Sequence, residues 1–141
     1  MSGKMRYGQK GAFALIGVLL LAISQTVAAQ EAKPQETKGA TVNSTDLLGL
    51  GAQLPEIAGY ALRIRKITLE PGAVIAHHSH AQRPIVIYVI SGAYTEVPDE
   101  GPEITHGPGT QWVEGAEMKH WGGNRGQEPT VLIAVDIVPE E

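Results

Sequence analysis

The sequence contains no cysteine, so a disulfide framework, a thiolate metal site and a cysteine nucleophile are all excluded. Aromatic residues make up only 5% of the chain, so a core must be built mainly from aliphatic side chains. Basic residues number 11 against 15 acidic ones. This balance argues against nucleic acid as a partner, because phosphate binding needs a basic footprint. The apolar run 11–23 is shorter than the roughly 20 residues that span a bilayer.

The first 29 residues have the pattern of a secretory signal peptide. Lys4, Arg6 and Lys10 form a basic start without acidic residues, the apolar run 11–23 follows, and small residues lead to Ala29. This order of segments is typical of a cleaved signal. We therefore expect cleavage after Ala29 and a periplasmic or secreted protein with no stable membrane span. The alternative is an uncleaved membrane anchor.

The remaining chain predicts a linker and one domain. Residues 30–40 are polar and charged without apolar periodicity, which is typical of a flexible linker. Residues 41–141 are enough for one small domain. Its first part, 41–59, fits either a short edge strand with a loop or one helical turn. Without disulfides, core burial must hold the domain together, helped by a metal or a partner subunit.

Short apolar segments separated by turn residues fill the rest of the domain. Residues 60–69 alternate apolar and polar side chains, which predicts a strand with Arg63 and Arg65 facing water. The Pro-Gly pair at 71–72 predicts a turn that ends this strand. Residues 85–91 are β-branched on both faces, as in a central strand covered on both sides. Further strands are expected at 74–80, 93–97, 103–106, 110–113, 117–121 and 130–138. This pattern favours a barrel or sandwich, with an immunoglobulin-like sandwich or an open Greek key as alternatives.

A His-x-His pair precedes the most apolar of these strands. Side chains alternate faces along an extended strand, so His78 and His80 point the same way and His77 points the other. Two imidazoles on one face provide half of a metal site. If the strand continues, Gln82 lies on the same face as the two histidines and is a candidate weak fourth ligand. The alternative is that Gln82 is a polar turn residue.

Two motifs around this pair resemble those of the cupin superfamily. The first cupin motif runs Gly, five residues, His-x-His, three or four residues, Glu, six residues, Gly. The sequence matches it at Gly72, His78, His80 and Gly92, with Ile85 where Glu is expected. The second runs Gly, five residues, Pro-x-Gly, two residues, His, three residues, Asn. The sequence matches it at Gly109, His120 and Asn124, with Gly115 for Pro and Glu117 for Gly.

The resemblance implies an all-β fold, a single jelly-roll barrel, with a metal ion inside it. His78, His80 and His120 match the histidine ligand positions, whereas Ile85 cannot bind. Three imidazoles suffice for a divalent transition metal (Fe, Zn, Ni, Cu or Mn) at an open site. Without the carboxylate, we expect a more cationic site that favours softer, nitrogen-preferring metals. The alternative is a barrel that has lost its metal.

Two functions are compatible with this site. The first is a metal-dependent oxidoreductase or isomerase of the dioxygenase or isomerase type, acting on a small molecule. Tyr88, Trp112 and Glu117 would then line the pocket; otherwise the aromatic pair is core and the glutamate is solvated. The alternative is a non-catalytic module of the cell envelope that binds a small ligand or a metal. No catalytic residue is assignable, and the lack of a nucleophile–base pair argues against a covalent hydrolase. Residues 41–54 are the expected contact with a second copy in a homodimer.

Overall fold

The structure is a computed structural model that describes residues 31–140, so the predicted signal peptide lies outside the described residues. The described chain is all-β apart from one turn of 3-10 helix at Pro55–Ile57. Its strands are β1 (Lys38–Gly49), β2 (Tyr60–Ser79), β3 (Ile85–Ser91), β4 (Tyr94–Pro98), β5 (Ile104–His106), β6 (Gln111–Glu114), β7 (Lys119–Gly123) and β8 (Thr130–Pro139). They form a nearly closed antiparallel barrel with the order β5-β4-β7-β2-β8-β3-β6, and β1 pairs with β2. The predicted all-β jelly-roll class is confirmed. None of the helical structure within 31–140 is long and apolar enough to cross a membrane.

Strand β2 is 20 residues long and belongs to both halves of the barrel. Its first half pairs with β8 as far as Leu69, and its second half pairs with β7 from Val74 onward. The predicted turn at residues 70–72 is therefore a bend within one strand. Gly72 has a φ of 78°, which only glycine adopts at low cost, and its N–H donates to the Asn124 carbonyl. Pro71 is tolerated because this short stretch changes partners.

The barrel interior is aliphatic, with Leu69, Val89 and Leu132 at its centre. Two face assignments made from the sequence are wrong. Residues 63 and 65 turn inward, since both bond the buried carboxylate of Asp136 on β8. Strand β3 is covered on one side only: Ile85, Ile87 and Val89 are buried, whereas the alternating residues between them are exposed.

The chain before residue 41 contributes to the barrel. β1 begins at Lys38, so the last residues of the predicted linker belong to a strand. Before that, the Pro34 carbonyl accepts a hydrogen bond from the His77 N–H, and Lys33 forms an ion pair with Asp99. Within residues 41–59 the structure has the edge strand and loop, followed by the 3-10 turn.

Candidate metal centre

Three histidine side chains converge at the junction of β2 and β7. His78 and His80 come from the end of β2, and His120 lies directly opposite His78 in the register of the two strands. The three Nε2 atoms form a near-equilateral triangle. His78 and His80 are 3.0 Å apart, His80 and His120 are 3.1 Å apart, and His120 and His78 are 3.2 Å apart. The structure thus brings together all three histidines predicted as ligands.

The contacts of the Nδ1 atoms, which point away from the cluster, show which nitrogen of each ring is protonated. His78 Nδ1 lies 2.8 Å from the Ala76 carbonyl, and His80 Nδ1 lies 3.2 Å from the Arg83 carbonyl. A carbonyl only accepts hydrogen bonds, so each of these Nδ1 atoms must be the protonated nitrogen. In a neutral imidazole the other nitrogen, Nε2, then has a bare lone pair. Two lone pairs 3.0 Å apart repel each other unless a cation lies between them.

Glu114 completes this cluster, although the sequence analysis did not assign it. It ends β6 and lies opposite Ile85 in the β3–β6 pairing. Its Oε1 accepts a hydrogen bond from Trp112 Nε1 at 2.7 Å. Its Oε2 lies 2.8 Å from His80 Nε2 and 3.4 Å from His120 Nε2, yet has no hydrogen-bond partner within the described chain. A carboxylate missing at position 85 is therefore supplied by the neighbouring strand.

The three inner nitrogen atoms fit a metal ion. Metal–nitrogen bonds of about 2.0–2.1 Å separate adjacent ligands by about 3.0 Å in an octahedron and about 3.3–3.4 Å in a tetrahedron. The observed Nε2 separations of 3.0 to 3.2 Å lie at this spacing. His78, His80 and His120 can therefore hold a transition metal, and Glu114, which also groups with His120 and Glu96, places a carboxylate beside them. The expectation of a more cationic site without a carboxylate is wrong, because Glu114 restores a negative charge next to His80 and His120.

Burial favours the neutral form of two of these imidazoles. It lowers the pKa of His78 and, more strongly, lowers the pKa of His120 to about 4. For Glu114, burial opposes ionisation, but the adjacent His80 and His120 outweigh it, so the pKa lies below its usual value. These shifts favour lone-pair donors at His78 and His120 and a carboxylate at Glu114, which are the protonation states that metal binding requires.

A second carboxylate lies behind His120. Glu96 on β4 is buried, and its Oε1 is 3.7 Å from His120 Nδ1; neither atom has a hydrogen-bond partner in the described part of the chain. Its Oε2 lies 2.8 Å from His106 Nε2. The His106 ring in turn stacks on Trp112 with centroids 3.7 Å apart. A carboxylate hydrogen-bonded to the outer nitrogen of a ligand histidine orients the ring, but at 3.7 Å Glu96 and His120 do not form that bond. Burial also raises the pKa of Glu96.

The cluster opens into a cavity of about 280 Å³ inside the barrel. Its walls are mainly aliphatic, and Trp112 and Tyr94 supply aromatic surface. Of the predicted pocket residues, the structure places Trp112 there but not the other two. Tyr88 is on the outer face of β3 and 41% exposed, and Glu117 is exposed in the turn before β7. Gln82 is likewise exposed, in a turn with a φ of 65°, and is not among the residues that line the cavity.

Comparison with known proteins agrees with this architecture. The chain matches the Cupin domain family over residues 65–136 and therefore belongs to the cupin family. No curated protein matches it significantly. Among solved structures, it resembles the Cupin_2 domain of an XRE family transcriptional regulator from Enterobacter cloacae, with 18% identity, a TM-score of 0.51, and coverage of 73% of this chain and 100% of that one. It also resembles a protein from Bacillus halodurans with 15% identity, a TM-score of 0.52, and coverage of 57% and 64%. These similarities support the fold alone.

Proposed function

We propose that the protein is an exported metal-dependent cupin enzyme, an oxidoreductase or isomerase that acts on a small organic molecule. The observation that carries this proposal is the convergence of three imidazole lone pairs, with the unpartnered Glu114 Oε2 beside them, at the wall of a cavity that opens to solvent. A metal held there would act as a Lewis acid or bind O₂ beside the substrate. Donors of this kind suit iron, manganese, zinc, nickel or copper.

The chain's own residues would position the substrate. The apolar side chains in the cavity wall would lower the local dielectric around a bound substrate, which would strengthen polar interactions there. Tyr94 lines the cavity, and burial raises its pKa above the usual value, so its phenol stays protonated and can donate a hydrogen bond to a substrate oxygen. Trp112 holds the Glu114 carboxylate through its indole N–H, so it acts as a positioning residue.

A non-catalytic ligand-binding module is the second candidate. It is favoured by the cavity lining: the carboxylate and all three imidazoles there belong to the metal cluster, which leaves no separate carboxylate or imidazole among the cavity-lining residues as a general base.

Metal analysis of the untagged mature protein tests the metal site, and oxygen uptake or turnover of a metabolite panel by the metal-loaded protein tests catalysis. The enzyme hypothesis expects bound metal and turnover that is lost in His120→Ala with an intact fold. Tight ligand binding without turnover supports the module instead. If the protein binds no added metal, the metal site on which the enzyme hypothesis rests is contradicted.

We also propose that the protein is a homodimer. Among residues 31–140, strand β1 pairs only with β2, so its other edge is free; it exposes Val42, Leu47 and Leu48, and β2 beside it exposes Leu62. A long apolar edge of this kind is an aggregation hazard unless it is covered. A second copy of the chain can cover it by two-fold symmetry. Light scattering should give twice the chain mass, and Leu47→Lys should shift it to the monomer. A wild-type monomer would contradict the proposal.

A further inference from the structure

Three arginines surround one buried aspartate, and two of them line the same cavity. Arg63 donates to both oxygens of Asp136, with Nε 2.9 Å from Oδ1 and Nη2 2.7 Å from Oδ2. Arg65 donates to Oδ2 at 3.0 Å, and Arg83 Nη1 lies 3.7 Å from the same atom. The Asp136 side chain is completely buried. One carboxylate is thus shared by three guanidinium groups.

Two of these arginines reach the cavity. Arg65 and Arg83 both line it, together with the histidines and Glu114. Arg65 Nε is buried and has no hydrogen-bond partner among residues 31–140. Burial lowers the pKa of Arg65 more than Asp136 raises it, and the other two arginines lower it further. A buried donor without a partner, beside a second arginine that is 3.7 Å from the shared carboxylate, indicates a place for an anion.

The register gives the spacing between this cationic group and the metal cluster. Asp136 lies opposite Ile85 on β3, and Ile85 lies opposite Glu114 on β6. The aspartate and the glutamate are thus two strands apart, about 10 Å between their Cα atoms at the usual strand spacing. Aliphatic side chains of Ile85, Ile87 and Ala134 line the cavity between the two groups. The wall of the cavity therefore carries two arginines, apolar side chains and the metal-binding histidines.

We propose that Arg65 and Arg83 bind the carboxylate of a small organic acid whose apolar body lies along the cavity and whose far end reaches the histidines. The metal-binding end rests on the proposed function, whereas the carboxylate subsite does not. The planar guanidinium fork can bind a carboxylate or a phosphate through two bonds, so the choice of a carboxylate rests on the cavity. Arg63 already holds the Asp136 carboxylate in this two-bond manner. A single charge on an apolar body also suits a cavity of about 280 Å³ with few polar walls.

The test measures binding of pentanoate and of pentanamide, its neutral isostere, to protein stripped of metal by a chelator. Calorimetry or NMR titration should show pentanoate binding about tenfold more tightly, equivalent to ~1.4 kcal/mol. Arg83→Gln should remove most of that preference and leave pentanamide binding unchanged. The backbone bonds between Arg83 and His80 do not depend on the side chain. Arg83→Lys should keep part of the preference, because the charge remains but the fork is lost.

Arg125→Gln is the matched control, since Arg125 is an exposed arginine that pairs with Glu103 outside the cavity. It should bind both compounds as the wild type does. Equal affinities for pentanoate and pentanamide, or equal losses in Arg83→Gln and Arg125→Gln, would overturn the proposal. Tighter binding of inorganic phosphate than of pentanoate would overturn the carboxylate assignment. Because the protein is metal-free, these results do not depend on whether the metal proposal is correct.

Discussion

Replacing Glu114 by Gln tests the metal centre most directly, because it changes one charge and almost no volume. The carboxylate Oε2 becomes an amide group beside the lone pairs of His80 and His120, where its N–H can donate a hydrogen bond. The other oxygen can still accept from Trp112 Nε1. We therefore expect the metal-free variant to be at least as stable as the metal-free wild type, since an unpartnered buried oxygen is removed.

The metal-bound state should behave in the opposite way. Loss of partners that only orient metal ligands costs about 10–100-fold in affinity, so loss of a direct ligand should cost about 100-fold. At metal concentrations above both dissociation constants, this reduces the metal-dependent stabilisation by about 2.7 kcal/mol. For a domain of this size, that corresponds to a loss of about 10 °C in the metal-induced rise of Tm.

The assay is thermal unfolding of chelator-treated protein with and without added metal, together with competition against a chelator of known affinity. Glu117→Gln is the matched control, because Glu117 is exposed three residues further along the chain. It should keep the wild-type response to metal. Equal metal affinities in the two variants would refute the assignment of Glu114 as a ligand.

Three further predictions concern stability. Asp136→Asn removes the buried carboxylate that three arginines share and should cost about 3 kcal/mol, whereas Glu103→Gln, at an exposed ion pair, should cost under about 1 kcal/mol; similar values in urea unfolding would contradict the role of Asp136. Gly92→Ala should cost about 1–3 kcal/mol, because φ is 72° and a Cβ would lie 2.6 Å from the Pro129 carbonyl oxygen, while Gly115→Ala, with no atom within 4 Å, should be close to neutral. Finally, the folded pKa of His120 is depressed from 6.5 to about 4, so the unfolded state binds its proton first. The free energy of unfolding of the metal-free protein should therefore fall by up to about 3 kcal/mol as pH falls from 6.5 to 4, with no further loss from this group below pH 4. In urea unfolding, His120→Gln should reduce this dependence on pH, and an unchanged dependence would contradict the prediction.

Several parts of the fold and site were predictable from local pattern. Strand β3 is observed from Ile85 to Ser91, as its β-branched run predicts. His78, His80 and His120 come together because alternation places the first two on one face and the motif spacing supplies the third. Both signals depend only on residues near one another in sequence or on fixed spacings.

The rest depended on pairing between distant strands. Glu114 appears beside a glycine in a turn-rich stretch, and only the β3–β6 register brings it opposite Ile85. The sequence did offer one indication: Glu114 directly follows the predicted strand 110–113 and is two residues from Trp112, so on an extended chain their side chains lie on the same face. Arg63 was assigned to solvent because charged side chains on a half-polar strand usually face water. Its partner Asp136 is 73 residues away, and without that pairing the inward orientation could not be inferred.

The register shift in β2 between Ile75 and His78 governs which sequence changes this barrel can accept. Before the shift the buried positions are odd, such as Ile67, Leu69 and Ala73; after it the buried position is His80. The extra residue thus changes which side chains point inward: odd-numbered ones in the part of β2 that carries Arg63 and Arg65, and even-numbered ones from His78 onward. Deleting one residue within the shift would make the pairing between β2 and β7 regular, and the imidazoles would still point inward. Deleting one residue in the β8-paired half would invert the arginines' half of the strand instead. Insertions and deletions of a single residue therefore have position-dependent outcomes, and the bulge is the place where the chain can change length without losing its donors.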